Sequence, residues 1–178
     1  ARFSVGVDGI AGNRNSMAIF NQAWNRDFFW NGRKSSIKDL VFEPVTNPIE
    51  LHLTWHEAID RIKLHNEYPA LFAKAFNIQG FEIDSVHVAK AIAQFMNSII
   101  SFNSKYDKFV KRQANLSPAE ERGFEVFKSE AKGDCFHCHV PSNQLLTDNA
   151  IINPVQRFHN TGLDPLQNPF TGKAEYTN

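Results

Sequence analysis

Between residues 84 and 102, apolar and polar positions follow each other with the period of an α-helix. The apolar residues recur every three or four positions and would form one continuous face. They are Ala89, Ile92, Ala93, Met96, Ile99 and Ile100. Asp84 or Ser85, both of residue types that cap helix N-termini, would begin the helix. The pattern predicts an amphipathic helix that buries this face, with Met96 as a packing residue.

Two shorter segments have the same helical spacing. In residues 54–65 the apolar positions fall on one side of a helix. Thr54 and Glu57 have the spacing of a capping box, in which each side chain accepts a hydrogen bond from the other residue's backbone N–H. Residues 69–76 predict a further short helix.

The first 50 residues contain Gly, Asn and Pro at short intervals, which is typical of loops with short helical pieces. The same segment holds five large aromatic residues that we expect to be buried: Phe20, Trp24, Phe28, Phe29 and Trp30. Any strands in the chain are expected to be short. These features predict an all-α, loop-rich fold.

The sequence Ser117-Pro118-Ala119-Glu120 marks the start of another helix. It supplies an N-cap residue, a proline at the first helical position and a capping glutamate. We expect this helix to end near Gly133. A domain boundary is placed just before it, which gives one domain over 1–115 and a second over 116–178.

Composition and charge exclude some classes of partner. The chain has 178 residues, with 19 Lys and Arg against 19 Asp and Glu. This balance gives no electrostatic footprint for nucleic acid or for an anionic membrane surface. No apolar run approaches the roughly 20 residues that a membrane-spanning helix needs. We therefore expect neither a nucleic-acid partner nor a membrane span in this chain.

Both cysteines of the chain lie in the segment Cys135-Phe136-His137-Cys138-His139, which has the C-x-x-C-H pattern of c-type haem attachment. The two thiols can form thioethers with the two vinyl groups on one edge of a porphyrin. The imidazole of His139 then becomes the proximal ligand of the iron. The motif predicts one covalently bound haem c and a periplasmic or extracellular location, because this attachment is made outside the cytoplasm.

Three other uses of the two thiols are less well supported. A zinc site needs four ligands, and only His137 and His139 accompany the thiols locally. A disulfide between cysteines three positions apart on a helical turn has strained geometry. A redox dithiol of the thioredoxin kind follows a β-strand, whereas residues 123–133 predict a helix followed by a loop.

Six short segments follow one another along the chain: Asn13-Arg14-Asn15-Ser16, Phe28-Phe29-Trp30-Asn31-Gly32-Arg33, Pro48-Ile49-Glu50-Leu51, Ala91-Ile92-Ala93-Gln94-Phe95, Asn103-Ser104-Lys105-Tyr106-Asp107 and the haem motif. In this order they resemble the bacterial di-haem cytochrome c peroxidase family, whose relatives include the methylamine-utilisation di-haem enzymes. The resemblance covers essentially the whole chain. It implies two c-type haem domains, one haem reacting with peroxide and the other receiving electrons. Residues 1–115 would belong to the N-terminal peroxidatic domain and 116–178 to the C-terminal, cytochrome c-like electron-transfer domain.

The resemblance also implies that this sequence is an internal part of a longer protein. The family's first C-x-x-C-H lies upstream of its Arg-Asn motif, which here is Arg14-Asn15. The sixth ligand of the second haem, usually a Met, lies well downstream of the second motif, but no Met follows His139. A second haem is thus expected from a segment outside this sequence. His159 is the one local candidate for a sixth ligand.

Three residues match functional positions of the family. Trp30 matches a Trp between the two haems that is implicated in electron transfer, and Glu50 matches the distal-pocket Glu that moves a proton during peroxide cleavage. Asn15 matches an Asn at a calcium site, where an amide oxygen suits a hard cation. The ordinary alternatives are a core aromatic residue, a solvated Glu in a loop and an Asn in a turn.

The sequence departs from the family pattern at two places. The family usually has Asp where Asn31 stands, so a charged contact of that Asp is lost or replaced here. Many relatives carry a distal His just before the Arg-Asn motif, but residues 1–14 contain no His. The first haem therefore either lacks this ligand or takes it from another segment.

The resemblance implies a cytochrome-c peroxidase, an oxidoreductase that reduces hydrogen peroxide to water. Its electrons would come from a small donor protein, a cytochrome c or a cupredoxin. They would enter at the haem held by Cys135, Cys138 and His139. Two alternatives remain: a non-catalytic c-type electron carrier and a related di-haem oxidase acting on another substrate. A homodimer and a periplasmic location are further expectations.

Overall fold

The computed structural model describes residues 3–12, 14–137 and 139, and in them the chain is helical. The helices are α1 (Ile37–Thr46), α2 (Trp55–Leu64), α3 (Tyr68–Phe76), α4 (Ser85–Ser98), α5 (Lys105–Val110) and α6 (Pro118–Lys128), with 3-10 turns at Gln22–Trp24, Gly80–Glu82 and Cys135–His137. Extended pairing among these residues is limited to two isolated antiparallel bridges, Val5 with Ala11 and Phe28 with Lys34. The predicted all-α, loop-rich character is confirmed.

The chain divides into two compact units. Among the described residues, the first contains residues up to 19 and 27–98, and the second contains residues 20–26 together with 99–137 and 139. In the first unit α1 packs on α4, and α2 contacts both α3 and α1. The domain boundary that we placed between residues 115 and 116 stays a prediction.

The core of the first unit lies mainly between α1 and α4. Its buried members are Phe28, Ile37, Leu40, Val41, Ala89 and Met96. A second cluster contains Phe72, Ile83 and Val88, and Trp55 packs against both clusters. Of the face predicted for α4, Ala89 and Met96 are buried, whereas Ile92 is 39% exposed. The small side chain of Ala89 allows α1 to approach α4 closely.

The predicted helix starts are confirmed. Thr54 and Glu57 form the capping box of α2, and Ser117 and Glu120 form that of α6. Of the two cap candidates for α4, Asp84 is the one whose Oδ1 accepts the backbone N–H of His87, at 2.9 Å. These bonds satisfy N–H groups that have no partner within their own helix.

Two helices end earlier than their apolar patterns predict. α4 ends at Ser98 rather than at residue 102. The carbonyl of Ile99 accepts the backbone N–H of Asn21, and the N–H of Ser101 bonds the Asn21 side-chain oxygen, each at 2.8 Å. These groups are therefore not available to continue the helix. α6 ends at Lys128, five residues before Gly133, because the following turn folds back on its last carbonyls.

The aromatic residues near the start of the chain are not all buried as expected. Phe28 is 2% exposed, whereas Trp30 is 50% exposed. Phe20 and Trp24 are also half-exposed, and Trp24 lies edge-on to Phe102 with ring centroids 4.7 Å apart. The expectation of burial was wrong for these three residues, which lie on or beside turns at the surface.

In the second unit, α5 lies against α6 through an aromatic cluster. Tyr106 and Phe109 contact Phe124, with centroid distances of 5.7 and 6.2 Å. Lys105 donates a hydrogen bond to Glu120 and links the two helix starts. Among the described residues, none of the helices is both long enough and apolar enough to pass through a bilayer.

Candidate functional site

The turn that follows α1 carries Glu50. It folds back onto the end of the helix, where the N–H of Leu51 donates to the Pro44 carbonyl at 3.1 Å and that of Leu53 to the Val45 carbonyl at 2.9 Å. The N–H of Glu50 donates to the Asn47 carbonyl at 3.0 Å. Carbonyls at a helix C-terminus lack partners within the helix, so these bonds complete them and fix the turn.

The carboxylate of Glu50 is oriented by a neighbour. Its Oε1 accepts a hydrogen bond from the Asn47 side-chain N–H at 2.8 Å, and Glu50 is half-buried. Asn47 itself follows the last residue of α1, so the helix end determines where its amide lies. The carboxylate is thus held at a set position rather than moving freely in solvent.

A hairpin over residues 4–12 lies against the Glu50 turn. Its bridge joins Val5 and Ala11, and the N–H of Val7 donates to the Glu50 carbonyl at 2.8 Å. The surface around this contact is rich in exposed aliphatic side chains, from the hairpin and from the turn. They are Val5, Val7, Ile10, Ile49 and Leu51. Glu50 is therefore a half-buried carboxylate on a turn that carries exposed aliphatic side chains as well as the polar groups of Asn47 and His52.

Trp30 lies on a tight turn in the same unit. The turn is closed by the bridge between Phe28 and Lys34, and Gly32, with φ of 64°, adopts the left-handed conformation that glycine favours. The indole Nε1 donates to the backbone carbonyl of Asn15 at 2.8 Å. The structure thus brings together two residues that the sequence singled out separately. The calcium expectation concerns the side-chain oxygen of Asn15, which is a different atom.

An ionic cluster supports the Trp30 turn. The guanidinium of Arg33 lies 3.4 Å from the centroid of the Phe29 ring and donates to Glu43 at 2.8 Å. It also donates to the Asn31 side-chain oxygen at 3.2 Å. Asn31 therefore contacts Arg33 through a neutral amide. Lys34 lies 3.0 Å from the second oxygen of Glu43.

Glu43 is charged in this cluster. Burial alone would raise the pKa of its carboxyl group, but the hydrogen bonds and positive charges of Arg33 and Lys34 outweigh burial and lower the pKa below its ordinary value. The cluster connects the turn to α1, which also leads into the Glu50 turn.

The haem motif begins in a 3-10 turn after α6. The N–H of His139 donates to the Cys135 carbonyl at 2.8 Å, which closes one helical turn between these residues. Residues four apart on such a turn lie on the same side. The Cys135 thiol donates a hydrogen bond to the Gly133 carbonyl at 3.3 Å. A thiol and an imidazole in this arrangement fit covalent haem, one as thioether sulfur and the other as iron ligand.

Two of the predicted residues, Cys138 and His159, lie outside the described residues. In the part of the chain that is described, no three His, Cys, Asp or Glu side chains form a group that could hold a metal ion. Sequence reasoning missed Asn47, Asp8 and His52, which contact the Glu50 turn. The Asn three residues before Glu50 is a local signal that could have been used, but the contact with Asp8 joins segments 44 residues apart.

The chain is similar to known proteins in sequence. A family model described as di-haem cytochrome c peroxidase matches residues 1–115. Cytochrome c peroxidase Ccp of Escherichia coli (strain K12) is 30% identical over 138 residues, covering 76% of this chain and 28% of the relative. The methylamine utilization protein MauG of Methylorubrum extorquens is 29% identical over 161 residues, covering 90% of this chain and 42% of the relative.

The chain is also similar to solved structures. A MauG-like protein associated with microbial copper homeostasis superposes with a TM-score of 0.80 at 29% identity, covering 92% of this chain and 49% of that protein. The diheme peroxidase BthA of Burkholderia thailandensis has a TM-score of 0.72 at 23% identity, over 83% of this chain and 42% of that one, which shows the fold alone. These likenesses confirm the expected cytochrome fold class. The chain spans less than half the length of each of these relatives.

Proposed function

Because the chain belongs to the di-haem cytochrome c peroxidase family, we propose that it serves in a di-haem enzyme that reduces hydrogen peroxide to water with electrons from a small redox protein. The observation that carries this proposal is the setting of Glu50. Its carboxylate is half-buried, hydrogen-bonded to Asn47 and flanked by exposed aliphatic side chains. A carboxylate that is partly buried and held in one position by a hydrogen bond is suited to proton transfer.

Glu50 handles protons in this proposal. Cleavage of the peroxide bond requires a proton to move from the oxygen nearer the iron to the oxygen that leaves. Asn47 holds Oε1 of Glu50, so we assign the proton transfer to Oε2. The hydrogen bond from Asn47 holds the carboxylate in one orientation, so less conformational entropy is lost when the reactive geometry forms.

Cys135, Cys138 and His139 hold a haem c in this proposal. Haem c, when bound, supplies the iron that exchanges electrons. Each cysteine adds across one vinyl group, so that a carbon–sulfur bond replaces the vinyl double bond and the thiol hydrogen goes to the other vinyl carbon. The hydrogen bond from the His139 N–H to the Cys135 carbonyl, which brings these two residues close together, supports this assignment.

Trp30 is assigned to electron transfer toward the peroxide-binding haem. Its indole is half-exposed and so accessible to a partner, and the bond to Asn15 restrains the ring. A fixed ring suits electron transfer because its distance to donor and acceptor does not vary.

Calcium at Asn15 stays a prediction. Calcium takes six to eight oxygen ligands, and the side chain of Asn15 supplies one. The described residues offer no cluster of three carboxylate, imidazole or thiol side chains to complete the set. Calcium binding by the holoenzyme, compared between the wild type and Asn15→Ala, tests the assignment.

The remaining assignments rest on family membership. The match of the family model to residues 1–115 supports the domain assignment, in which the peroxidatic part ends there and a cytochrome c-like part follows. A cytochrome c or cupredoxin donor, a periplasmic location and a homodimer also follow from the family and stay predictions.

The haem count and the peroxide reaction of the full-length protein test the proposed function. The pyridine haemochrome spectrum and the intact mass give the number of haems per polypeptide. Two haems and peroxide-dependent oxidation of a reduced cytochrome c or cupredoxin are the expected results. One six-coordinate haem without peroxide turnover would instead establish an electron carrier. Two haems with turnover of another substrate but not of peroxide would establish an oxidase.

A further inference from the structure

Three consecutive residues of the hairpin contact the turn that carries Glu50. Gly6, Val7 and Asp8 face residues 49–52, which lie more than 40 positions away in the sequence. Each of the three contacts is of a different kind: a close approach of two backbones, a backbone hydrogen bond and a side-chain hydrogen bond. Together these three contacts hold the Glu50 turn against the hairpin. Hydrogen bonds from the turn to carbonyls at the end of α1 hold it against the helix.

At Gly6 the two backbones lie too close for a side chain. A Cβ atom placed there would overlap the carbonyl oxygen of Ile49 and would lie 2.6 Å from that of Glu50. Real Cβ atoms do not approach backbone oxygens at such distances, so any other residue would push the Glu50 peptide away. Gly12, in the same hairpin, shows no such restriction, since a Cβ there would meet its nearest atom at an ordinary 3.6 Å.

The next two residues bond to the turn directly. The Val7 N–H donates to the Glu50 carbonyl at 2.8 Å, so the backbone of the proposed catalytic residue is fixed by the hairpin. The Asp8 carboxylate accepts a hydrogen bond from Nδ1 of His52 at 2.6 Å. His52 has φ of 49°, a left-handed conformation that is uncommon for a residue with a side chain, and the bond to Asp8 helps to hold it.

We infer that Gly6, Val7, Asp8 and His52 are positioning residues, which set the place of the Glu50 carboxylate relative to the bound peroxide. This inference rests on the proposed function of Glu50. A displacement of about 1 Å at a catalytic group can cost about a hundredfold in rate, and a Cβ at Gly6 would require a shift of this order. The hairpin thus acts on turnover through Glu50, without touching the substrate.

A comparison of two glycine variants in the holoenzyme tests the inference. Gly6→Ala is expected to lower kcat for peroxide by about 10- to 100-fold and to leave the KM for the electron donor unchanged. Haem content and the thermal midpoint serve as checks that the protein is folded. Gly12→Ala, the same change in the same hairpin, is expected to keep kcat close to that of the wild type. Equal kcat values for the two variants would overturn the inference.

A second pair of variants keeps the inference testable if Gly6→Ala fails to fold. Asp8→Asn and His52→Ala are each expected to lower kcat by about two- to fivefold, the range for an exposed pair, with less than additive effects when combined. His56 and Asp60 lie 3.4 Å apart on α2, and changing them provides the matched control without effect on kcat. Additive effects at Asp8 and His52 would contradict the inference.

Amide hydrogen exchange separates this inference from the proposed function. The Val7 N–H, which bonds to the Glu50 carbonyl, should exchange about two- to fivefold faster in Asp8→Asn than in the wild type. An unchanged exchange rate of the Val7 N–H would overturn the positioning role, whether or not the enzyme reduces peroxide. If peroxide turnover does not depend on Glu50, the proposed function fails, and faster exchange would still show that Asp8 holds the turn.

Discussion

The indole Nε1 of Trp30 lies 2.8 Å from the backbone carbonyl oxygen of Asn15, to which it donates a hydrogen bond. These two residues are 15 positions apart, and each is proposed, on the family resemblance, to have a function of its own. The bond anchors the Trp30 ring to the segment that contains Arg14-Asn15. It explains how a tryptophan that is 50% exposed keeps one orientation.

Removal of this bond should affect both stability and turnover. Trp30→Phe keeps an aromatic ring but loses the N–H donor, which should cost about 0.5–1.5 kcal/mol of unfolding free energy. Because the ring also loses its fixed plane, peroxide turnover should fall. Trp24→Phe is the matched control, since Trp24 is 42% exposed and has no assigned role in electron transfer. Denaturant unfolding and steady-state kinetics of both variants check the prediction, and equal kcat values would remove Trp30 from the electron path.

Gly133 should be required for thioether formation at Cys135. A Cβ at this position would lie 2.7 Å from the Val126 carbonyl oxygen and 3.3 Å from the Cys135 sulfur. Gly133→Ala should therefore displace the thiol and yield protein whose haem is attached through Cys138 alone. One vinyl group then stays conjugated, so the α band of the pyridine haemochrome shifts to longer wavelength.

The control for this prediction is the same substitution within α6. A Cβ at Gly123 would have no neighbour within 4 Å, and alanine is the better helix former by about 1 kcal/mol. Gly123→Ala should therefore keep both thioethers. Alkylation of a free Cys135, followed by peptide mass analysis, gives a second readout. A normal α band and an unmodified Cys135 in Gly133→Ala would contradict the account.

The capping box of α6 should make stability depend on pH in the acid range. Hydrogen bonds from Lys105 and from Ser117 lower the pKa of Glu120 from 4.5 to about 2. Because the pKa is lower in the folded state, this stabilisation is fully present above pH 4.5 and is lost as the pH falls through about 2.

Thermal midpoints of the wild type and Glu120→Gln, measured between pH 7 and pH 2, check this dependence. The midpoint of the variant should lie below that of the wild type at neutral pH, and the difference should close between pH 4.5 and pH 2. Glu121→Gln, which keeps the contacts of Glu120, is the control. A difference that does not vary with pH would show that the charge of Glu120 plays no part.

Phe28 should contribute far more to stability than an exposed phenylalanine of the same unit. Phe28 is 2% exposed and belongs to the cluster between α1 and α4. Phe28→Ala should lower the unfolding free energy by about 3–5 kcal/mol, because it removes buried apolar surface and leaves a cavity. Phe81 is 75% exposed, so Phe81→Ala should change stability by less than about 1 kcal/mol. Urea unfolding distinguishes the two, and similar losses would contradict the described core.

The sequence predicts helices well where a periodic apolar face coincides with a cap. The helix after Thr54 and the helix after Ser117 begin where their capping boxes predict. By contrast α1 was not predicted, although Ser36 caps it and its apolar residues recur at helical spacing. Pro44 lies inside α1, and proline usually indicates a break in a helix. Here it falls near the helix end, where its carbonyl accepts the N–H of Leu51.

Contacts between distant segments could not be predicted from local patterns. The early end of α4 depends on Asn21, which lies 80 residues before Ser101. The same holds for the site, because motif matching identified Glu50 but not the hairpin residues that hold it. A glycine such as Gly6 has no side chain to indicate a role, and only the position of the Ile49 carbonyl reveals it. The types of residue in a sequence indicate which chemistry is available. The positions of those residues relative to one another depend on contacts that form only when the chain folds.

The peroxide turnover of the Glu50→Gln holoenzyme tests the central claim most directly. Glutamine keeps the size of the side chain and can still bond to Asn47, but it cannot accept and return the proton. Loss of acid–base catalysis should lower kcat by about 10²–10⁴-fold. Glu67→Gln is the control, since that side chain is exposed and makes no capping bond at the start of α3. A Glu50→Gln enzyme with two haems and the same peroxide turnover as the wild type would contradict the claim.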